Sequence, residues 1–157
     1  MQVNLGRAIT VTSTERWLSE IRAGRAFALG NNPAAVAAQF SHVQLFNPAA
    51  SGVTALVRRI ICSFAVADRP TWMQHNTALV TDVGAGINLL SGAAAGACHV
   101  RSETNVAQLG TLIWTVHAAA GDLVPFVDDW LMELGPGEGT LIVASAVNIG
   151  MTADYMW

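Results

Sequence analysis

The stretch Ser41-His42-Val43-Gln44-Leu45-Phe46-Asn47 alternates apolar and polar side chains with a period of two residues. Successive side chains of an extended strand point to opposite faces, so this alternation predicts a β-strand with one face toward a core. The chain continues with Asn47-Pro48-Ala49-Ala50-Ser51-Gly52, in which an Asn-Pro pair and a glycine are typical of a turn. A second strand-like run, from Val53 to Asp68, follows the turn and indicates an all-β fold.

Further runs of strand character follow at short spacing, and glycines separate most of them. These runs are Thr77 to Val83, Ile87 to Leu90, Ala97 to Glu103, Thr111 to His117, Leu131 to Leu134, Thr140 to Asn148 and Met151 to Trp157. No helical pattern between them is long enough for a parallel crossover. Residues 27–157 are therefore predicted to form an antiparallel β-sandwich or jelly roll.

The run from Thr140 to Asn148 is apolar on nearly both faces, which predicts a strand in the middle of a sheet that is buried from both sides. The last run ends on Tyr155-Met156-Trp157. A bulky aromatic side chain left in water forgoes about 2 kcal/mol or more of apolar burial. Trp157 is therefore expected either in the core or in a subunit contact, and Tyr155 and Trp157 are candidate contact residues.

Residues 1–26 differ from the rest because they hold four of the eight arginines and a clear helix signal. Thr12 and Glu15 have the spacing of a capping box, Trp17, Leu18 and Ile21 fall on one face, and Gly24 follows as a stop. Together these features predict a short helix over residues 13–23. Trp17 and Ile21 are candidate contact residues. They face either the core of their own domain or a partner, and both alternatives stay open.

The 157 residues are 52% apolar and only 12% charged, with eight arginines, no lysine, 11 acidic residues and a net charge of -3. This size allows one compact domain with its own core. Without a basic stripe, the charge balance argues against nucleic acid and against a membrane surface as partners. The two cysteines, Cys62 and Cys98, lack metal or disulfide spacing and are expected as buried thiols of a protein assembled in the cytoplasm.

The sequence offers no arrangement typical of catalysis, and a non-enzymatic protein without metal or cofactor is expected. The four histidines are spread one per segment without paired metal-ligand spacing, at His42, His75, His99 and His117. Asp128 and Asp129 invite a comparison with glycosidase carboxylates. Adjacent strand residues point to opposite faces, however, so the pair is expected in a solvated loop instead.

Two stretches resemble small β-sandwich (jelly-roll) structural proteins of tailed bacteriophages and prophages. The run from Phe40 to Val53, continuing into Val57-Arg58-Arg59-Ile60, is similar to their opening of strand, Asn-Pro-x-x-Ser-Gly and strand. Leu134-Gly135-Pro136-Gly137-Glu138-Gly139, with the strands after it, resembles their closing hairpin. Together the two stretches bracket roughly residues 36 to 157. Many such proteins close on a Trp followed by a Glu, whereas this chain ends at Trp157.

The resemblance implies a virion component, assembled in the host cytoplasm: a head decoration (cement) protein, or a tail, baseplate or fibre module, commonly a trimer. Its expected partners are copies of itself and either the major capsid protein or tail and baseplate proteins. The arm of residues 1–26 is expected to dock the chain onto the particle. With so few charges, little polar material remains to cover a monomer, so some apolar area is expected in subunit contacts.

Two other functions stay open on the same fold. One is a tail-associated receptor-binding or carbohydrate-binding module, in which Trp72 or Trp130 stacks on a sugar and Asp128 or Asp129 binds its hydroxyls. The other is a cupin-like metalloenzyme, which requires a bound metal ion.

Overall fold

The computed structural model describes residues 13–157, except for the side chains of residues 13–16 and 127–131. Within this range one helix, α1 (Ser13–Arg22), precedes eleven strands. The strands are β1 (Phe27–Asn31), β2 (Phe40–Phe46), β3 (Ala55–Phe64), β4 (Thr71–Gln74), β5 (Thr81–Ala85), β6 (Ile87–Asn88), β7 (His99–Asn105), β8 (Thr111–Thr115), β9 (Val124–Leu134), β10 (Gly139–Val143) and β11 (Met151–Met156). No helix in the described range has the length and apolar character needed to cross a membrane.

The strands form two antiparallel sheets that pack face to face. Sheet A has the order β6-β1-β11-β3-β9, and sheet B has the order β5-β7-β2-β10-β4-β8. The sets β1-β11-β3-β9 and β2-β10-β4-β8 have the strand order of a jelly roll, which winds two Greek keys into two facing sheets. Strands β5, β6 and β7 are an insertion that widens both sheets. The predicted antiparallel sandwich with a short helix is confirmed.

Apolar side chains from both sheets fill the space between them and form the main core. Tyr155 of sheet A is fully buried there, and its hydroxyl donates a hydrogen bond to the carbonyl oxygen of Val43 in sheet B at 2.6 Å. Cys62 and Cys98 are free buried thiols, as predicted. Burial raises the pKa of Cys62 to about 12 and that of Cys98 to about 11, so neither thiol ionises at neutral pH.

The helix ends where the sequence predicts a stop. Gly24 adopts a φ of 68°, a left-handed conformation that glycine takes without steric cost. The amide of Gly24 donates to the carbonyl of Ile21 and the amide of Arg25 donates to that of Glu20, both at 2.9 Å. This pair of bonds is a Schellman motif, which satisfies the last carbonyls of the helix. The Thr12 part of the predicted capping box lies outside the described residues.

Several strand predictions were wrong in extent. Two strands were not predicted from the sequence. Gly30 interrupts any apolar alternation in β1, and β4 has only four residues. The predicted strand over residues 140–148 ends at Val143, because the chain then turns back and Asn148 adopts a φ of 64°. The expected loop at residues 128–129 lies inside strand β9 instead.

Trp157 packs against glycines in the core at the side of the sandwich where the insertion joins it. Its ring stacks on Phe27 with a centroid distance of 6.1 Å, and the amide of Phe27 donates to the Trp157 carbonyl at 2.7 Å. A Cβ atom added to buried Gly86 would overlap the Trp157 ring, and one added to Gly96 would lie 2.9 Å from the ring of Phe27. The two glycines therefore leave room for the aromatic pair.

Replacing Gly86 with Ala is expected to lower the free energy of unfolding by about 1–3 kcal/mol, the usual cost of overpacking a core. Gly150→Ala is the matched control, because the nearest atom to its added Cβ lies 3.5 Å away in ordinary contact. Urea titration followed by tryptophan fluorescence measures both variants. Equal stability of the two variants would contradict the packing described at Trp157.

Candidate interaction surface

The central strand of sheet B is buried on both faces, as its apolar sequence predicts. Ile142 faces the main core between the sheets. Leu141 and Val143 point the other way and join Met73 and the half-buried Phe40 in a second apolar cluster on the outer face of sheet B. All three β10 side chains have no exposed surface. Part of the chain must therefore cover this outer face.

Gln44 on strand β2 anchors the segment between β4 and β5 that covers part of this face. Its side-chain nitrogen donates to the carbonyl oxygens of His75, at 2.7 Å, and Thr77, at 3.0 Å. Its side-chain oxygen accepts the amide of Leu79 at 3.0 Å. Three bonds from one fully buried side chain thus hold residues 75–79 against sheet B.

His42, two residues earlier on the same face, anchors the segment between β7 and β8. The amide of Leu109 points at Nε2 at 3.2 Å, and Nδ1 lies 3.1 Å from the carbonyl oxygen of Phe40. An amide only donates and a carbonyl only accepts, so the ring is neutral with its proton on Nδ1. Both ring nitrogens are used, which leaves no lone pair for a metal ion. Burial lowers the pKa of this imidazole.

Asp82, His99 and Arg101 form a charged cluster on the outer side of strands β5 and β7. Nδ1 of His99 lies 2.9 Å from Oδ2 of Asp82, and Arg101 Nη2 donates to the same oxygen at 3.2 Å. Desolvation acts to raise the pKa of Asp82, but the hydrogen bond and charge of His99, aided by Arg101, outweigh it and lower the pKa. Over the residues described, no group of three or more His, Cys, Asp or Glu side chains is placed to hold a metal ion.

Strand β8 presents an uncharged apolar edge. All five of its residues are exposed, and Leu112, Ile113 and Trp114 expose 61%, 44% and 51% of their surface. It pairs with β4 on one side and is the last strand of sheet B, with Ile113 as an extra residue at a β-bulge. Trp114 meets Phe126 edge to face, at a centroid distance of 6.1 Å. An exposed apolar edge strand is a template for pairing with another chain.

The four contact residues predicted from the sequence do not lie together. Trp17 is half-buried with the Arg58 guanidinium 5.2 Å from its ring centre, and Ile21 is half-buried on the same helix. Tyr155 and Trp157 lie in the core of their own chain, with 0% and 6% of their surface exposed. Of the two places expected for Trp157, the structure selects the core, because this burial leaves almost no side-chain surface for a partner.

Other predicted site residues are equally occupied or lie outside the description. Trp72 is half-buried, and its indole N–H donates to Oγ1 of Thr140. Its side chain packs against the main core instead of standing open to a sugar. The side chains of Trp130, Asp128 and Asp129 are not described. The sequence reading missed the β8 edge as a surface. Its only signal was the uncharged run Thr111-Leu112-Ile113-Trp114-Thr115, which does not reveal that the strand closes a sheet.

The jelly-roll arrangement alone does not define a function, because viral capsid proteins, lectins and cupins share it. Comparisons with known protein families, with characterised proteins and with solved structures find no match to this chain. The fold and its surface define the class as a jelly-roll protein with an exposed apolar edge strand.

Lowering the pH from 7 to 5 is expected to reduce the free energy of unfolding. Burial holds the pKa of His42 in the folded chain below its ordinary value of 6.5, so the unfolded chain binds the proton more readily. The stabilising contribution of neutral His42 is therefore complete above pH 6.5 and is lost as the pH falls below it. Burial shifts the pKa of half-buried His75 in the same direction.

Urea titrations across this pH range measure the effect in the wild type and two variants. His42→Gln should show a smaller loss of stability on acidification than the wild type. His117→Gln is the control, because this side chain is exposed, and it should keep the wild-type pH dependence. An unchanged slope in His42→Gln would contradict the role given to His42.

Proposed function

We propose that this chain is a non-enzymatic structural protein that associates with copies of itself and forms part of a tailed-phage virion, as a head decoration (cement) protein or a tail or baseplate component. The observation that carries the proposal is the β8 edge, where three large apolar side chains stand exposed without a charge among them. Jelly rolls recur among viral capsid proteins. The sequence resemblance to phage structural proteins supports the virion setting.

The chemistry of the described side chains also favours assembly over catalysis. Both ring nitrogens of His42 are hydrogen-bonded to backbone groups, and His99 pairs with the Asp82 carboxylate, which Arg101 also binds. Both thiols are buried with raised pKa values. These groups hold the fold together, whereas the exposed apolar side chains of β8 are not needed for the core of the chain itself.

Helix α1 supports a docking role for the arm of residues 1–26. Trp17 and Ile21 are half-buried, while Leu18 between them exposes 44% of its surface. One face of the helix therefore packs against its own domain, where Arg58 contacts Trp17, and the neighbouring Leu18 remains exposed. This division suits a short helix that joins the sandwich to a larger particle.

A carbohydrate-binding or receptor-binding module of the tail is the second candidate, favoured by Trp114. About half of this side chain is exposed, and aromatic faces of this kind stack on sugar rings. Specific glycan binding that Trp114→Ala abolishes, in a chain that does not self-associate, would favour this candidate over the structural one.

Replacing Ile113 with Lys is expected to weaken self-association by at least about tenfold, or ~1.4 kcal/mol, because joining the edges would then bury a charge. Sedimentation equilibrium over a range of concentrations measures the effect. Val53→Lys is the matched control, since Val53 is a similarly exposed β-branched residue, at 47%, in the loop between β2 and β3. A wild-type chain that stays monomeric at high concentration, or equal effects of both variants, would refute the edge as the contact.

Deleting residues 1–24 is expected to leave a folded, self-associating sandwich that no longer attaches to particles, because the sheets begin at Phe27. The particles are purified from a lysate of a phage whose genome encodes the chain. Antibody labelling in electron micrographs measures whether the chain is attached to them. Particles labelled with the full chain but not with the shortened chain would support the docking role. Equal labelling with the two chains would contradict it, and no labelling with either chain would contradict the proposed place in a virion.

A further inference from the structure

Sheet B carries two free edges on opposite sides of the molecule. In the described chain, β5 pairs with β7 and β8 pairs with β4, and each has no strand beyond it. Edge strands present rows of unpaired backbone donors and acceptors. Sheet B of each copy therefore offers two separate places where another copy can attach.

We propose that β8 of one copy lies against β5 of the next, so that the copies join head to tail and close into a ring. This inference rests on the self-association proposed above and names its geometry. The strand directions permit it. All neighbours in sheet B are antiparallel, so β5 and β8, five steps apart, run in opposite directions. A second copy in the same orientation thus continues the antiparallel pattern across the junction.

The two edges also match in polarity. The β8 edge has no charged residue, and the β5 side exposes Val80 by 83% and Val83 by 38%, followed by Ile87 of β6 at 63%. The single charged residue of β5, Asp82, is already neutralised by His99 and Arg101. Joining the edges therefore brings apolar side chains together without burying an unpaired carboxylate.

Symmetry favours the head-to-tail contact over a two-fold contact between like edges. Two β8 strands related by a two-fold axis would leave both β5 edges open, whereas a repeated head-to-tail contact uses both edges of sheet B in every copy. A contact based on five-residue strands is small beside the roughly 800 Å² per partner of a stable interface. Ring closure compensates for this, because each copy is then held at two contacts.

The bulges in the two edge strands favour a ring over a flat, growing sheet. Val83 is an extra residue in β5 opposite β7, and Ile113 is an extra residue in β8 opposite β4. A bulge bends its strand and increases the local twist. Successive copies joined through bent edges are rotated relative to one another, and such a rotation closes a ring when it divides a full turn without a rise along the axis.

Single cysteine variants test which edges meet. Val83→Cys and Ile113→Cys are each made in an otherwise unchanged chain, mixed, and treated with a short bifunctional maleimide, followed by a denaturing gel. The native thiols of Cys62 and Cys98 are buried and do not react in the folded chain. Unchanged thermal unfolding of both variants shows that they remain folded. Val53→Cys, mixed with each variant, reports random collision.

The expected result is a cross-linked pair in the mixture of Val83→Cys and Ile113→Cys, at least about tenfold above the Val53→Cys mixtures, and no excess in either variant alone. Cross-linking of Ile113→Cys alone would show a two-fold β8 contact and overturn the ring. An oligomer in sedimentation without an excess in any sample would also overturn it, while self-association would stand. A monomer in sedimentation without cross-links would refute both.

Discussion

Strands that are buried on both faces must satisfy every polar group on their outer side within the protein, and this requirement determines how the centre of sheet B is built. His42 and Gln44 lie on that side with no exposed surface. Both find their partners in the backbone of the segments that cross over them. The cover is therefore fastened by hydrogen bonds as well as by the apolar cluster beneath it, and an unpaired group there would cost about 1–3 kcal/mol.

The hydrogen bond between His42 and Leu109 also restrains the edge strand β8. The segment that His42 holds at Leu109 leads directly into Thr111, the first residue of β8. The start of the edge is thus fixed by a bond to the centre of the sheet. A restrained strand has less conformational entropy to lose on pairing with another strand than a mobile one has. The buried histidine and the exposed apolar edge belong to one arrangement.

The sequence predicts well what depends on neighbouring residues. Alternation identified β2, the Asn-Pro loop separated it from β3, and the glycine stop placed the end of α1 within one residue. It fails where long-range contacts decide. Gly30 sits within β1 because the strand pairs with β11, and the exposure of β8 depends on which strand ends sheet B. Likewise, the aromatic character of Tyr155 and Trp157 does not distinguish a core from a subunit contact.

The position of β11 also bears on when the domain can fold during synthesis. This strand lies between β1 and β3, so sheet A has an open seam until residues 151–156 have left the ribosome. Closing the seam pairs β11 with β1, more than a hundred positions away, and with β3, which makes folding slow compared with local pairing. Nascent chains on one messenger therefore carry unpaired strands near one another until residues 151–156 of each chain have emerged, and strands of neighbouring chains can pair wrongly during that interval.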